Sequence, residues 1–187
     1  CALAACGPNL DGLKPGETGK VVAVSDSDTL TLDSGLKVQL TGLVAAQRGF
    51  RERPDEPQAQ QARQTLEKIA LGRKALLAYG GETRLAEADP PLALAQVYVQ
   101  SEGGRWIWAQ EAMLREGMAR ARPWKDNHAR AAALYQAEAI GRKAKKGVWG
   151  DKAGAVRKAD TITAEDRGFQ LVEGVVRSVG VTETRTY

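Results

Sequence analysis

Between residues 20 and 44 the chain carries three short runs rich in β-branched residues: KVVAV (20–24), DTLTLD (28–33) and LKVQLTGLV (36–44). Strict alternation across the second run sends Leu30 and Leu32 to one side and Thr29 and Thr31 to the other. That is the period of two that a strand satisfies. Asp33-Ser34-Gly35 separates the last two runs with the residues a tight turn needs. The reading is a three-stranded antiparallel meander, and it constrains the rest of the chain.

Downstream the pattern changes several times. RGFRERPDEP (48–57) is a polar loop, and QAQQARQTLEKIALG (58–72) places Ala59, Ala62, Leu66, Ile69 and Ala70 at helical spacing before Gly72. RKALLAY (73–79) and LALAQVYV (92–99) read as strands, with a turn at SEGG (101–104). A helix is expected over about 108–116, ending at Gly117, and the longest helix over 128–146, ending at Gly147 with Trp149 folding back. Five strands, one helix between the third and fourth, and two helices at the end follow the order of a mainly β, α+β chain. It is an OB-type five-stranded barrel with about three helices, a fold that binds oligonucleotides and oligosaccharides. Residues 7–19, GPNLDGLKPGETG, read as a tether that closes an N-terminal segment 1–18. The barrel domain is expected over 19–151, a linker over 152–167, and the truncated start of a second β-rich region over 168–187.

The 43% apolar and 27% charged composition excludes wholesale disorder. A net charge of +4 with a pI near 9.1 fits a polyanionic partner or an anionic membrane surface. No apolar stretch is long enough to span a bilayer. Both cysteines, Cys1 and Cys6, fall in the first six residues, and Leu3-Ala4-Ala5-Cys6 has the small-residue pattern that precedes the acylated cysteine of bacterial lipoproteins. Lipidation of Cys6 or Cys1 would tether the protein to a membrane and place it at the bacterial envelope, facing the periplasm. The alternative is an ordinary cysteine pair, free or joined in a small disulfide.

Several side chains are candidates for chemistry. Asp26 and Asp28 in VSDSDTLTL (24–32) are either a metal-binding pair or turn residues whose short acceptors meet nearby backbone N–H groups. Arg115, Arg120 and Arg122 near Trp124 form a cationic strip with an aromatic, suited to a single strand or to plain packing. Arg142, Lys143, Lys145 and Lys146 sit in the last turns of a helix, favoured there by its dipole and also able to contact phosphates. Trp106 and Trp108 read as rim or core packing. His128 is the single histidine, with no cysteine nearby, which argues against zinc.

The stretches VSDSDTLTL, VQLTGLVAAQ, PLALAQVYV, WAQEAMLREGMARARPW and AEAIGRKAKKGVWGD, in this order, resemble the staphylococcal nuclease family over residues 19–151. The resemblance implies a five-stranded OB barrel with three helices and calcium-dependent phosphodiester hydrolysis. It places the first metal aspartate on Asp28, with Asp26 beside it. The first catalytic arginine falls on Gln39, the second metal carboxylate on Val44, the catalytic glutamate on Gln47, and the second catalytic arginine on Leu92. Hydrolysis of this kind needs carboxylates for a hard cation and arginines for phosphate charge. With four of these positions neutral or apolar, the expectation is a degenerate member that has lost calcium and cleavage. It would serve as a nucleic-acid- or envelope-component-binding module. The alternatives are an active nuclease using Asp26 and Asp28 with Glu52 or Asp55, and a structural envelope lipoprotein.

Overall fold

A computed structural model describes residues 7–49, 54–85, 92–150, 156–166 and 171–180. Cys1, Cys6 and Glu52 lie outside them. The first strand, β1 (Lys14–Asp26), contains the apolar KVVAV run and is longer than the sequence implies. Residues 14–18 are therefore part of a sheet and not of a tether: Lys14 pairs with Tyr79 and Lys20 with Lys74. Pairing supplies the order that this Gly- and Pro-bearing stretch lacks in its own pattern. A register shift between Val21 and Ala23 places Val21 and Val24 in the core while Val22 faces solvent.

The meander continues through β2 (Thr29–Leu32) and β3 (Lys37–Leu40), both antiparallel to their neighbours. Leu30 and Leu32 are buried and the two threonines half-exposed, as alternation requires. The run 36–44 is two strands rather than one. It breaks at Gly42 (φ 82), where a Cβ would lie 2.4 Å from Leu134 Cδ1. Beyond the break, β4 (Leu43–Ala45) leaves the barrel to pair with β9 (Ala119–Ala121).

Helix α1 (Ala59–Ala70) buries Ala59, Ala62, Leu66 and Ala70. It is followed by β5 (Lys74–Tyr79), the short β6 (Arg84–Leu85), β7 (Leu92–Gln100) and β8 (Trp106–Trp108). Strand order β3-β2-β1-β5-β7 closes through a parallel β3–β7 pairing, Val38 to Ala93 and Leu40 to Ala95. Five strands thus form a ring, the expected barrel. Its interior holds Val21, Leu30, Leu32, Val38, Leu40, Leu77 and Val97, where each fully buried aliphatic side chain contributes about 1.5–3 kcal/mol.

Helices α2 (Ala109–Arg115) and α3 (Ala131–Lys143) pack together beside the barrel. The third helix is shorter than 128–146, because His128 Nδ1 donates to the Lys125 carbonyl in a turn before it. Val148 and Trp149 are buried in the 3-10 turn that follows. Gln110 of α2 stitches the layers together. Its Oε1 accepts the Val97 N–H at 3.0 Å, and its Nε2 donates to the Ala95 carbonyl at 2.8 Å. Within the expected linker, β10 (Val156–Lys158) pairs in parallel with β11 (Leu171–Glu173), so this stretch is not simply a connector. Val175, Val176 and Val179 are exposed.

Candidate functional site

The seam where β3 meets β7 opens into a cavity of about 400 Å³. Asp28, Gln39, Val44 and Gln47 all line it, so positions as far apart as 28 and 47 converge on one place. Leu40, Leu43 and Leu94 form the apolar wall, and Trp124, Glu82, Asp126 and Asn127 the rim. Leu92, half-buried at the start of β7, is not among the lining residues.

The local sequence explains why these groups meet. Asp26 closes the β1–β2 turn by accepting the Ser27 N–H at 2.8 Å. Asp28, next to the turn, does something else: its carboxylate is buried and bonded to side chains rather than to turn N–H groups. Oδ1 accepts the Thr29 hydroxyl at 2.9 Å, and Oδ2 accepts both Gln39 Nε2 and Gln47 Nε2 at 3.2 Å. Gln39 is brought in by β3, where it pairs with Thr29. Gln47 is held by its own backbone, whose N–H donates to Glu56 Oε2 at 3.0 Å, and its Nε2 also reaches the Ala45 carbonyl at 3.2 Å. Asp55, beside Glu56 in the same loop, accepts the Gly49 N–H at 2.8 Å.

The rim is fixed from below. Gly81 lies so close to the 126–127 backbone that a Cβ would fall 1.8 Å from the Asp126 carbonyl oxygen. The Glu82 N–H donates to that same oxygen at 3.1 Å, and Asn127 Nδ2 donates to the Glu82 carbonyl at 3.1 Å. These contacts place Glu82 and Asp126 at the mouth, so among the described residues every charged side chain lining the cavity is acidic.

The expected strip of Arg115, Arg120, Arg122 and Trp124 does not assemble in one place. Arg122 lies over the Trp124 ring, 4.9 Å from its centroid, and Trp124 is 54% exposed. Arg120 sits over Trp149 at 5.5 Å, where burial lowers its guanidinium from the ordinary value against the pull of Glu138. Arg115 is on α2, paired with Glu111 at 3.0 Å, and lines a different groove. That groove also holds Lys68, Arg73, Arg105 and Trp106. Of its cations only Arg115 stands out in the sequence, because Lys68, Arg73 and Arg105 come from separate segments that share no local pattern. Arg142 pairs with Glu138 at 2.9 Å and Lys146 with Glu116 at 2.8 Å, so two of the α3 terminal cations are engaged within the fold.

The donors around Asp28 do not fit a calcium ion. Calcium takes six to eight oxygens, with carboxylates prominent among them. Here one buried carboxylate already accepts three protein hydrogen bonds, and Val44 offers no oxygen from its side chain. Among the described residues, no three acidic, histidine or cysteine side chains are grouped as a cation site.

No curated protein matches the chain. The family model described as staphylococcal nuclease homologue matches residues 37–151, more than half of the 187 residues. That match begins after Asp28, so the placing of the two aspartates rests on the VSDSDTLTL stretch and, for Asp28 alone, on the cavity it shares with the matched segment. With a closed five-stranded barrel, three helices and this match together, the chain belongs to the family of staphylococcal nuclease homologues.

Proposed function

We propose that this chain has given up calcium-assisted phosphodiester hydrolysis and retains the barrel as a nucleic-acid-binding module. One observation carries the reading: Gln39 and Gln47 both donate to Asp28 Oδ2, from the positions that the resemblance gives to an arginine and a glutamate. The glutamines keep hydrogen bonds but supply neither a cation for phosphate nor a base for water. Loss of one group that stabilises transition-state charge costs about a hundred- to a thousandfold in rate, and such losses within one site are not additive. Family membership supports nucleic acid as the partner class. Lipidation at Cys6 or Cys1 would hold the module at the bacterial envelope; mass spectrometry of the N-terminal peptide from cells tests that part separately.

Incubation of the purified protein with plasmid or single-stranded DNA and calcium is expected to give no cleavage above a buffer blank. Dose-dependent degradation abolished by chelator would overturn the loss of hydrolysis.

A further inference from the structure

Among the described residues the charged lining of the β3–β7 cavity is wholly acidic, which disfavours a phosphate chain there and directs attention to a different seat. The ends of α1, β8 and α2 enclose a second groove, of about 620 Å³, lined by Lys68, Arg73, Arg105, Trp106 and Arg115. An adjoining hollow shares Lys68 and Arg73 and adds Lys74, which extends the cations into one strip. Among the described residues it has no lining residue in common with the acidic cavity.

The pairing pattern within this strip is uneven. Arg115 is engaged by Glu111, Glu116 by Lys146, and Glu67 by Arg63. Lys68, Arg73 and Arg105 have no ion-pair partner among the described residues, and of the acidic side chains lining the strip only Glu102 is likewise unpaired. Trp106 is half-buried, packed on the core on one side and facing the groove on the other. Unpaired cations beside an aromatic face are the two components of sequence-tolerant single-strand binding, one for phosphates and one for a base.

We propose that this groove, and not the cavity at the β3–β7 seam, holds single-stranded nucleic acid. Phosphates lie on Lys68, Arg73 and Arg105, and a base lies against Trp106. The proposal rests on the reading of the chain as a nucleic-acid binder.

Fluorescence anisotropy of a labelled oligothymidylate with the full chain, across a salt series, tests it. A Lys68→Gln/Arg105→Gln double variant is expected to bind roughly tenfold or more weakly. Its plot of log affinity against log salt should flatten by about 1.4, from about 0.7 per lost single-strand contact. A charge-keeping Lys68→Arg/Arg105→Lys variant is expected to retain binding, and equal loss in that variant would overturn the proposal. Full binding by the glutamine variant, with loss in Arg122→Gln/Trp124→Ala, would overturn the groove but leave the chain a nucleic-acid binder. No binding by the unaltered chain at low salt would remove both. Competition by polyglutamate as strong as that of unlabelled oligothymidylate would overturn nucleic acid as the occupant.

Discussion

Asp28 is bonded by neutral side chains on both of its carboxylate oxygens. A carboxylate that accepts three neutral donors is stabilised in place by hydrogen bonds, and its neighbours are in turn satisfied by it. Replacing it leaves the two glutamine amides without that acceptor. Asp28→Ala is therefore expected to lower stability by about 1 kcal/mol, the cost of stranding half-buried donors, as read from urea unfolding. Binding of oligothymidylate should be unchanged, because the strand is seated elsewhere. The sequence placed Asp28, Gln39 and Gln47 at related positions, yet it could not give the bond between them. The residues lie 11 and 19 positions from Asp28, and only folding decides which way an amide turns.

At the scale of elements, Gln110 does what periodicity cannot reveal. It is a fully buried polar side chain on a seven-residue helix, in a position where an apolar pattern would expect a leucine. It bonds both the N–H of Val97 and the carbonyl of Ala95, and so clamps α2 to the strand whose Leu94 lines the cavity. Gln110→Leu should cost about 1–3 kcal/mol, since the Val97 N–H then has no partner. Thermal unfolding by circular dichroism measures it. The main strands and the three helices were legible because each carries its own period. The two-residue β6 and the three-residue β8 and β9 were not. Pieces so short have too few residues to show alternation, and they exist only through the strands they pair with.

Over the whole molecule, ends of the barrel distant in sequence are joined by one small network. Tyr79 of β5 donates to Glu17 of β1 at 2.5 Å, and Arg84 of β6 reaches the same carboxylate at 2.6 Å. The tyrosine hydrogen bond, with Arg84 assisting, holds the Glu17 carboxyl below its ordinary range, while burial pushes the Tyr79 hydroxyl up. A carboxyl depressed in the folded state adds stability above its unfolded value and loses it as pH falls through the depressed one. The urea midpoints of the unaltered chain and Glu17→Gln should therefore differ at neutral pH and converge in strong acid. Glu17 is largely solvated, so the difference is small. That network begins in a segment that sequence alone assigned to a tether, because pairing with β5, and no pattern of its own, makes residues 14–19 a strand. The parallel contact between β3 and β7 has a consequence for how the protein is made. It joins residues 38–40 to residues 93–95, so the ring cannot shut until the second of these has left the ribosome. Contacts this far apart form late, and until then β3 presents a bare edge able to pair with another chain. The hollow beside Asp28 lacks its Leu94 side before that moment, and its Trp124 rim arrives later still.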